Sequence, residues 1–295
     1  MAGFLALGGQ DVTCIARGEH LEAVRRDGLR LESGLLGDRS VRVKACTADE
    51  YAGAPDVVFV CVKSYALSSV AGLLRRVSTP HTLVIPVLNG FGTGDRLAAL
   101  LPSARVLDGC IYIVAYVAAP GVIVQSGRTF RLVCGLRPGD GGADGRLELL
   151  AGELRACGIK VDLSDDIQRD TFTKWSFISA MACTGAFYDV PAGDMQREGP
   201  ARDTFVRLAR ESAAAGLRMG LALPDDLPGR HLAVLDKMTP DSTASLQKDL
   251  ARGCESELEG ILFDMLALGR GLGTDMPEYE RVARKFESLK KQSAK

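Results

Sequence analysis

Histidine and net charge are both scarce in this sequence, and each scarcity argues against a class of protein. The chain of 295 residues has three histidines and one tryptophan, and its eight cysteines include no C-x-x-C pair. This pattern argues against a zinc site and favours reduced thiols in a cytoplasmic protein. The formal net charge of −1 gives no reason to expect nucleic acid or an anionic membrane as a partner.

Long apolar runs are missing as well. No run approaches the ~20 residues of a membrane-spanning helix. The N-terminus has no basic segment followed by a hydrophobic core, so no secretory signal is expected. What is present, 46% hydrophobic and 25% charged residues, is typical of a globular protein. The length suffices for one large domain or two ordinary ones, each with a core of its own.

Two apolar, β-branched runs, at residues 56–62 and 82–88, predict neighbouring parallel strands. Neither run alternates with polar residues, as expected for strands buried on both faces of a sheet. The segment between them has helical spacing, which completes a strand–helix–strand unit. The runs end at Lys63 and Asn89, and such sheets bind ligands beyond the carboxyl ends of their strands. Alone, either residue is a surface lysine or a turn asparagine; together they favour a site.

The composition changes near residue 165, from β-branched to helical, which predicts an α/β domain over residues 1–165 and an all-helical domain over 166–295. The remaining predicted strands are 11–17, 29–32, 40–46, several short runs within 106–135, and 160–163. The predicted helices are 19–27, 66–77, 146–157, 167–188, 201–219, 228–238, 246–268 and 277–290.

Arg17 closes its predicted strand where nucleotide-binding sheets place an acidic residue that binds the adenosine ribose. An arginine there suits a 2′-phosphate instead, which favours NADP over NAD. An ordinary surface arginine would fit the same sequence.

Lys174 lies near the start of the apolar helix 167–188 and shares a face with Ile178 and Met181. Such a lysine either extends to water or is partly desolvated in a cleft. Desolvation would lower its pKa and make it a competent proton donor near neutral pH.

Glu257 falls about 20° from Leu250 on a helical wheel, on the apolar face of the predicted helix 246–268. A carboxylate on an inward face needs a partner or a function, and a structural Arg or Lys would satisfy it. Upstream, residues 242–245 form an evident N-cap region, so capping is one interpretation of Ser245.

These residues lie in stretches that resemble the ketopantoate reductase (2-dehydropantoate 2-reductase) family. The resemblance covers nearly the whole chain and is carried by DVTCIARGEHLEAVRRDGLRL, DVVFVCVKSY, the Asn89-Gly90 turn, TFTKW and SLQKDLARGCESELEG, with a late Pro277. Matching spacing over five separate stretches is more specific than any single motif. The resemblance implies a Rossmann-like doubly wound sheet followed by an all-α C-terminal domain.

The resemblance implies an oxidoreductase of pantothenate biosynthesis that reduces a 2-keto acid, ketopantoate or a related compound, to the 2-hydroxy acid. Lys174 would be the general acid that protonates the developing alkoxide. Glu257 would hydrogen-bond the substrate hydroxyl, and Ser245 would help to hold the substrate carboxylate. An ammonium group suits this step, because hydride delivery leaves negative charge on oxygen.

The implied cofactor is NADPH. By resemblance Arg17 and Lys63 would contact it, and Asn89 would lie between the nicotinamide and the substrate. The partners are therefore a small-molecule substrate and the cofactor, with a homodimer as the assembly to test.

Two features depart from the family pattern. Where the family commonly has asparagines one and two turns after the lysine, this chain has Ile178 and Ala182, so the substrate end is less polar. No G-x-G-x-x-G turn is found, and Met1–Gly9 resembles the middle and end of the helix that follows that turn. Roughly 12–16 residues would be absent, including a strand of ~5.

In the doubly wound order 3-2-1-4-5-6 the absent strand would be the central one, between residues 11–17 and 56–62. We therefore expect either a slot between these strands or a closed, shifted pair. We also expect the chain as written to bind NADPH weakly or not at all and to be poorly stable, because the pyrophosphate normally rests on the glycine turn and the helix N-terminus. An N-terminally extended form is expected to bind NADPH and to turn over.

Three functions remain open at this point. The first is an NADPH-dependent 2-keto acid reductase. The second is another hydroxyacid dehydrogenase with the same two-domain plan, which turnover on a panel of keto acids would distinguish. The third is a catalytically silent binding protein or truncated gene product, which a cofactor titration would distinguish from both.

Overall fold

The computed structural model describes residues 1–142 and 144–293 and contains two compact units. The first comprises Met1–Val62, Ala66–Leu88 and Gly92–Ile167. The second comprises Lys63–Tyr65, Asn89–Phe91 and the chain from Gln168 onward. A single boundary near residue 165 therefore does not separate the units in full, because two short segments that follow strands belong with the helices. The order of an α/β part followed by a helical part is confirmed.

Parallel strands of the α/β unit form two small sheets. One pairs β1 (Thr13–Ile15) with β4 (Lys44–Cys46), and the other has the order β5 (Val57–Val60), β6 (Leu83–Pro86), β7 (Arg105–Val106). Strand β6 is buried on both faces, with Val84 and Ile85 fully shielded from solvent. The sequence of β6 does not alternate with polar residues because both of its faces are buried, as expected for a strand inside a parallel sheet.

A third, mixed sheet completes this unit. Its order is β10 (Lys160–Leu163), β9 (Val122–Gly135), β2 (Leu29–Ser33), β3 (Gly37–Val41), and β8 (Asp108–Ala119) pairs antiparallel with β9. The predicted short runs within 106–135 are thus two long strands of one hairpin. The helices of the unit are α1 (Ala2–Leu7), α2 (Gly18–Asp27), α3 (Leu67–Val77), α4 (Thr93–Leu100) and α5 (Gly145–Ala156).

The prediction of one strand over residues 40–46 is wrong. The run divides into the end of β3, antiparallel to β2, and the whole of β4, parallel to β1. Arg42 lies between them and its guanidinium donates to the carbonyl of Arg26, 2.6 Å away. The chain passes from one sheet to another at this point, which apolar spacing alone does not reveal.

Strands β1 and β5 are not paired with each other. Among the described strands, β1 has only β4 as a ladder partner and β5 has only β6. The expected outcome in which β1 and β5 close together as a hydrogen-bonded pair is therefore not observed. The predicted helix within residues 1–9 is present as α1, and its Phe4 packs edge-to-face on Phe130, with ring centroids 4.7 Å apart.

The second unit is helical. It contains α6 (Ile167–Tyr188), α7 (Ala192–Gln196), α8 (Pro200–Arg218), α9 (Leu227–Leu235), α10 (Ser245–Ala251), α11 (Asp264–Gly271) and α12 (Pro277–Ser293). Fully buried side chains from several of these helices make its core, among them Phe172, Phe205, Leu208, Met265 and Tyr279. None of the described helices is long and apolar enough to cross a membrane.

The prediction of one helix over residues 246–268 is also wrong. Helix α10 ends at Ala251, and the chain resumes as a π-helical segment, Glu259–Phe263, that leads into α11. Gly253, with φ of +63°, takes a left-handed conformation that breaks the helix. Two side chains of α6 bond to the π-helical segment: Trp175 Nε1 donates to the carbonyl of Gly260 at 2.9 Å, and Ser179 Oγ donates to that of Ile261 at 2.6 Å.

Candidate active site

Lys174 and Asn89 form one polar pair of the helical unit. Lys174 lies in the second turn of α6 and is only 8% exposed. Its Nζ donates to Asn89 Oδ1, 3.0 Å away, although the two residues are 85 positions apart. Asn89 follows β6 and belongs to the short segment that packs with the helices. The amide oxygen of Asn89, a neutral acceptor, thus orients the buried ammonium of Lys174.

Glu257 is the second focus of the site. It is 3% exposed, and its Oε1 accepts the backbone N–H of Ser64 at 3.4 Å. Its Oε2 accepts from Lys63 Nζ at 3.3 Å. The residue lies between α10 and the π-helical segment, not on a continuous helical face. The prediction that Glu257 is buried is correct, but the helical wheel that supported it is wrong, because α10 ends at Ala251, before Glu257.

Lys63 is shared between two carboxylates. Its Nζ lies 3.3 Å from Glu257 Oε2 and 3.2 Å from Asp249 Oδ2. Burial works to lower the pKa of Lys63, but the charges and hydrogen bonds of Glu257 and Asp249 outweigh it and hold the pKa above its ordinary value. Lys63 is therefore a fixed positive charge near neutral pH.

Gly260 connects the two polar pairs. Trp175, next to Lys174, donates its indole N–H to the Gly260 carbonyl. Gly260 also lies close to Ser64. A side-chain Cβ at this position would be only 3.1 Å from Ser64 Oγ, so a glycine allows the backbone of the π-helical segment to approach Ser64. Ser64 in turn donates its backbone N–H to Glu257. A continuous chain of contacts thus runs from Lys174 to Glu257.

Aromatic rings flank this arrangement. Phe91 stacks on Trp175 with centroids 5.5 Å apart and an interplanar angle of 14°. Phe172 meets both rings edge-on, with centroids 5.3 Å from Phe91 and 5.8 Å from Trp175. The cluster packs the segment that carries Asn89 and Phe91 against α6.

Ser245 and Arg17 are not brought into these contacts. Ser245 is exposed as the first residue of α10, whose N-cap is Ala244, so the capping interpretation of its side chain does not hold. The N–H of Ala244 is instead satisfied by Gln247 Oε1 at 2.9 Å. Arg17 follows β1, is exposed, and has no ion-pair partner within the described ranges.

Two participants in the site were not foreseen from the sequence. One is Asp249, which belongs to α10 and gave no pattern signal because it is an ordinary polar residue in a helical run. The other is the backbone N–H of Ser64, which no sequence pattern can identify. Only the three-dimensional contact with Glu257, 193 positions away, shows it.

Together the parts define a class. A parallel α/β unit of nucleotide-binding type and a helical unit that holds a buried lysine and a buried glutamate form the plan of a two-domain oxidoreductase. Two family profiles match the chain: "Ketopantoate reductase PanE/ApbA" over residues 1–139 and "Ketopantoate reductase PanE/ApbA C terminal" over residues 166–289. The chain belongs to the ketopantoate reductase family.

Individual relatives agree with the profiles. A 2-dehydropantoate 2-reductase of Mesorhizobium japonicum is 28% identical over 309 residues, covering 96% of this chain and 91% of that protein. The solved PanE/ApbA family ketopantoate reductase of Ralstonia eutropha JMP134 is 27% identical with a TM-score of 0.88, covering 100% of this chain and 95% of the other. A D-mandelate dehydrogenase, solved with NADH and anilino(oxo)acetate, shares the fold at 19% identity with a TM-score of 0.85, covering 98% of this chain and 95% of the other.

Proposed function

We propose that the protein reduces a 2-keto acid, ketopantoate or a related compound, to the 2-hydroxy acid with NADPH. The observation that carries this proposal is the buried Lys174 ammonium held on Asn89 Oδ1 at 3.0 Å, connected through Trp175 and Gly260 to the buried Glu257. Family membership supports the reaction class, since relatives carry the name 2-dehydropantoate 2-reductase.

Lys174 is the general acid in this proposal. Reduction of a ketone places negative charge on its oxygen, and an ammonium stabilises that charge and then supplies a proton. Burial strengthens the effect, because the interaction is screened less than it would be in water. Asn89 accepts one N–H bond of Lys174 and so limits the directions in which the ammonium can point.

Glu257 binds the substrate hydroxyl. Each of its oxygens carries one hydrogen bond, from Ser64 or from Lys63, and a carboxylate oxygen can accept a second. The carboxylate therefore keeps acceptor capacity for a hydroxyl while its charge is balanced by Lys63. Ser245, exposed at the start of α10, would donate to the substrate carboxylate.

NADPH fits the residues that are present. Arg17 is an exposed guanidinium without a carboxylate partner in the described chain, at a strand end where a ribose-binding acid would favour NAD. Lys63 uses two of its three N–H donors within the helical unit, and the third is available to the cofactor. Asn89 would lie between nicotinamide and substrate. The cofactor, when bound, supplies the hydride.

The test is NADPH oxidation followed by absorbance over a panel of 2-keto acids that includes ketopantoate. In a form extended at the N-terminus by a glycine-rich turn, we expect turnover with at least one of them and a preference for NADPH over NADH. A parallel titration uses quenching of the single tryptophan, Trp175, which adjoins Lys174. Cofactor binding without turnover of any keto acid would contradict the proposal and favour a silent binding protein.

A further inference from the structure

One lysine serves two carboxylates at the site. Asp249 and Glu257 lie 3.2 and 3.3 Å from the same ammonium, that of Lys63, and this trio has one more negative than positive charge. A simple structural ion pair for the buried Glu257 would need only the lysine. A second carboxylate adds repulsion against Glu257, so its presence calls for a different role.

The three members differ in burial, which suggests how that role is divided. Glu257 is 3% exposed, whereas the side chains of Asp249 and Lys63 are 22% and 39% exposed. A lysine side chain has four flexible bonds and a compact charge that can leave a single partner easily. Asp249, fixed on α10, restricts that freedom and holds the ammonium next to Glu257.

We propose that Asp249 is a positioning residue for the reduction: by holding the Lys63 ammonium against Glu257, it fixes the carboxylate that receives the substrate hydroxyl. The inference rests on the proposed function for its kinetic part. The contact itself is independent of any activity. Asp249 touches neither substrate nor cofactor in this account and acts through Lys63.

Three substitutions form the kinetic test. Asp249→Asn keeps the size of the side chain and removes its charge, Lys63→Met removes the ammonium, and the double variant combines them. We expect Asp249→Asn to lower kcat/KM for the keto acid about tenfold, mainly through KM. Asp249→Glu, which restores the charge, should recover most of the loss.

The double variant identifies the route. If Asp249 acts through Lys63, adding Asp249→Asn to Lys63→Met lowers kcat/KM no further than Lys63→Met alone, within about twofold. Multiplicative effects of the two substitutions would overturn the proposal, as would unchanged KM in Asp249→Asn. The matched control is Glu255→Gln, an exposed acid of the same segment, which should leave all constants unchanged.

A second readout keeps the inference separate from the proposed function. Urea unfolding of the same variants at neutral pH should show non-additive losses for Asp249→Asn and Lys63→Met, and additive ones for Glu255→Gln and Lys63→Met. If the unaltered protein reduces no keto acid, the proposed function fails on its own. Additive unfolding effects at Asp249 and Lys63 would then refute the positioning contact as well.

Discussion

The two units place their candidate functional groups in opposite settings. In the α/β unit, Arg17 is an exposed cation at a strand end, where a ligand would meet it in water. In the helical unit, Lys174 and Glu257 are almost completely buried, and each is held by residues distant in sequence. Because buried charges interact more strongly than exposed ones, we expect substitutions in the helical unit to abolish chemistry and those at Arg17 to alter only cofactor choice.

The largest effect is expected at Lys174. Lys174→Ala removes the proposed proton donor and should lower kcat by roughly 10²–10⁴ with little change in the Kd for NADPH. Steady-state kinetics and cofactor titration of the same preparation measure both quantities. Lys248→Ala, at an exposed lysine of α10, is the matched control and should keep wild-type turnover. A Lys174→Ala variant with unchanged kcat would contradict the expectation that the buried residues of the helical unit carry the chemistry.

One buried titratable residue of each unit should make the free energy of unfolding depend on pH, and the two residues should do so in opposite directions. Burial lowers the pKa of His231 in the helical unit from 6.5 to about 4. Between pH 6.5 and 4 the unfolded chain binds a proton at His231 and the folded chain does not. The free energy of unfolding therefore falls as pH falls from 6.5 to 4, by about 3 kcal/mol in total. Burial raises the pKa of Asp108 in the α/β unit from 3.8 to about 6. The stabilisation from protonated Asp108 is fully present below pH 3.8. It is lost as pH rises through 6, and the total loss is similar to that at His231.

Two variants isolate these slopes. His231→Gln keeps a partner for Ser176, whose Oγ lies 2.8 Å from His231 Nε2, and Asp108→Asn keeps an acceptor for the N–H of Gly109 at 2.9 Å. Relative to the unaltered chain, His231→Gln should gain stability as pH falls from 6.5 to 4. Asp108→Asn should be more stable near neutral pH and lose that advantage below pH 6. Urea unfolding at several pH values measures both, and slopes of one sign would contradict the comparison.

A smaller effect is expected from the contact between α6 and the π-helical segment. Trp175→Phe keeps an aromatic side chain but removes the indole N–H that donates to the Gly260 carbonyl, and the loss of this hydrogen bond should cost about 1–2 kcal/mol of unfolding free energy. Urea unfolding followed by circular dichroism measures it, since the variant has no tryptophan. Tyr116→Phe, at an exposed ring of the α/β unit, is the control and should change stability very little.

The smallest effect is expected at Arg17. A form of the protein that also carries a glycine-rich turn should bind NADPH at least about tenfold more tightly than NADH, equivalent to about 1.4 kcal/mol. Arg17→Ala should erase most of that preference while kcat with saturating NADPH stays near the original value. Equal affinities of the unaltered chain for the two cofactors would show that this exposed cation does not select the 2′-phosphate.

The sequence predicted elements whose burial is uniform along their length. Helix α6 was predicted with the bounds it has, because an apolar face continues through all of its turns. Strands β5 and β6 were predicted because both of their faces are apolar, as in a parallel sheet. The prediction of one strand over residues 40–46 failed because two strands of different sheets share one alternating apolar pattern, Val41, Val43 and Ala45.

The site shows the same limit. Lys63, Asn89, Lys174 and Glu257 were identified from strand ends, helix position and resemblance, and the structure brings them together in pairs. The break between α10 and α11 was missed, since apolar spacing continues across it. Asp249 was missed because an acid on a helix surface is the commonest kind of residue there, and only its distance from Lys63 distinguishes it.

The π-helical segment Glu259–Phe263 has a consequence for how this chain tolerates insertions and deletions. A π-helical turn holds one residue more than a regular turn, and one residue corresponds to about 100° of helical rotation. Deleting a residue here would restore a regular helix, but it would rotate Glu257 away from Lys63 or Met265 out of the core. Changes of chain length in this segment are thus coupled to the orientation of the carboxylate, whereas length changes in an exposed loop would leave it in place.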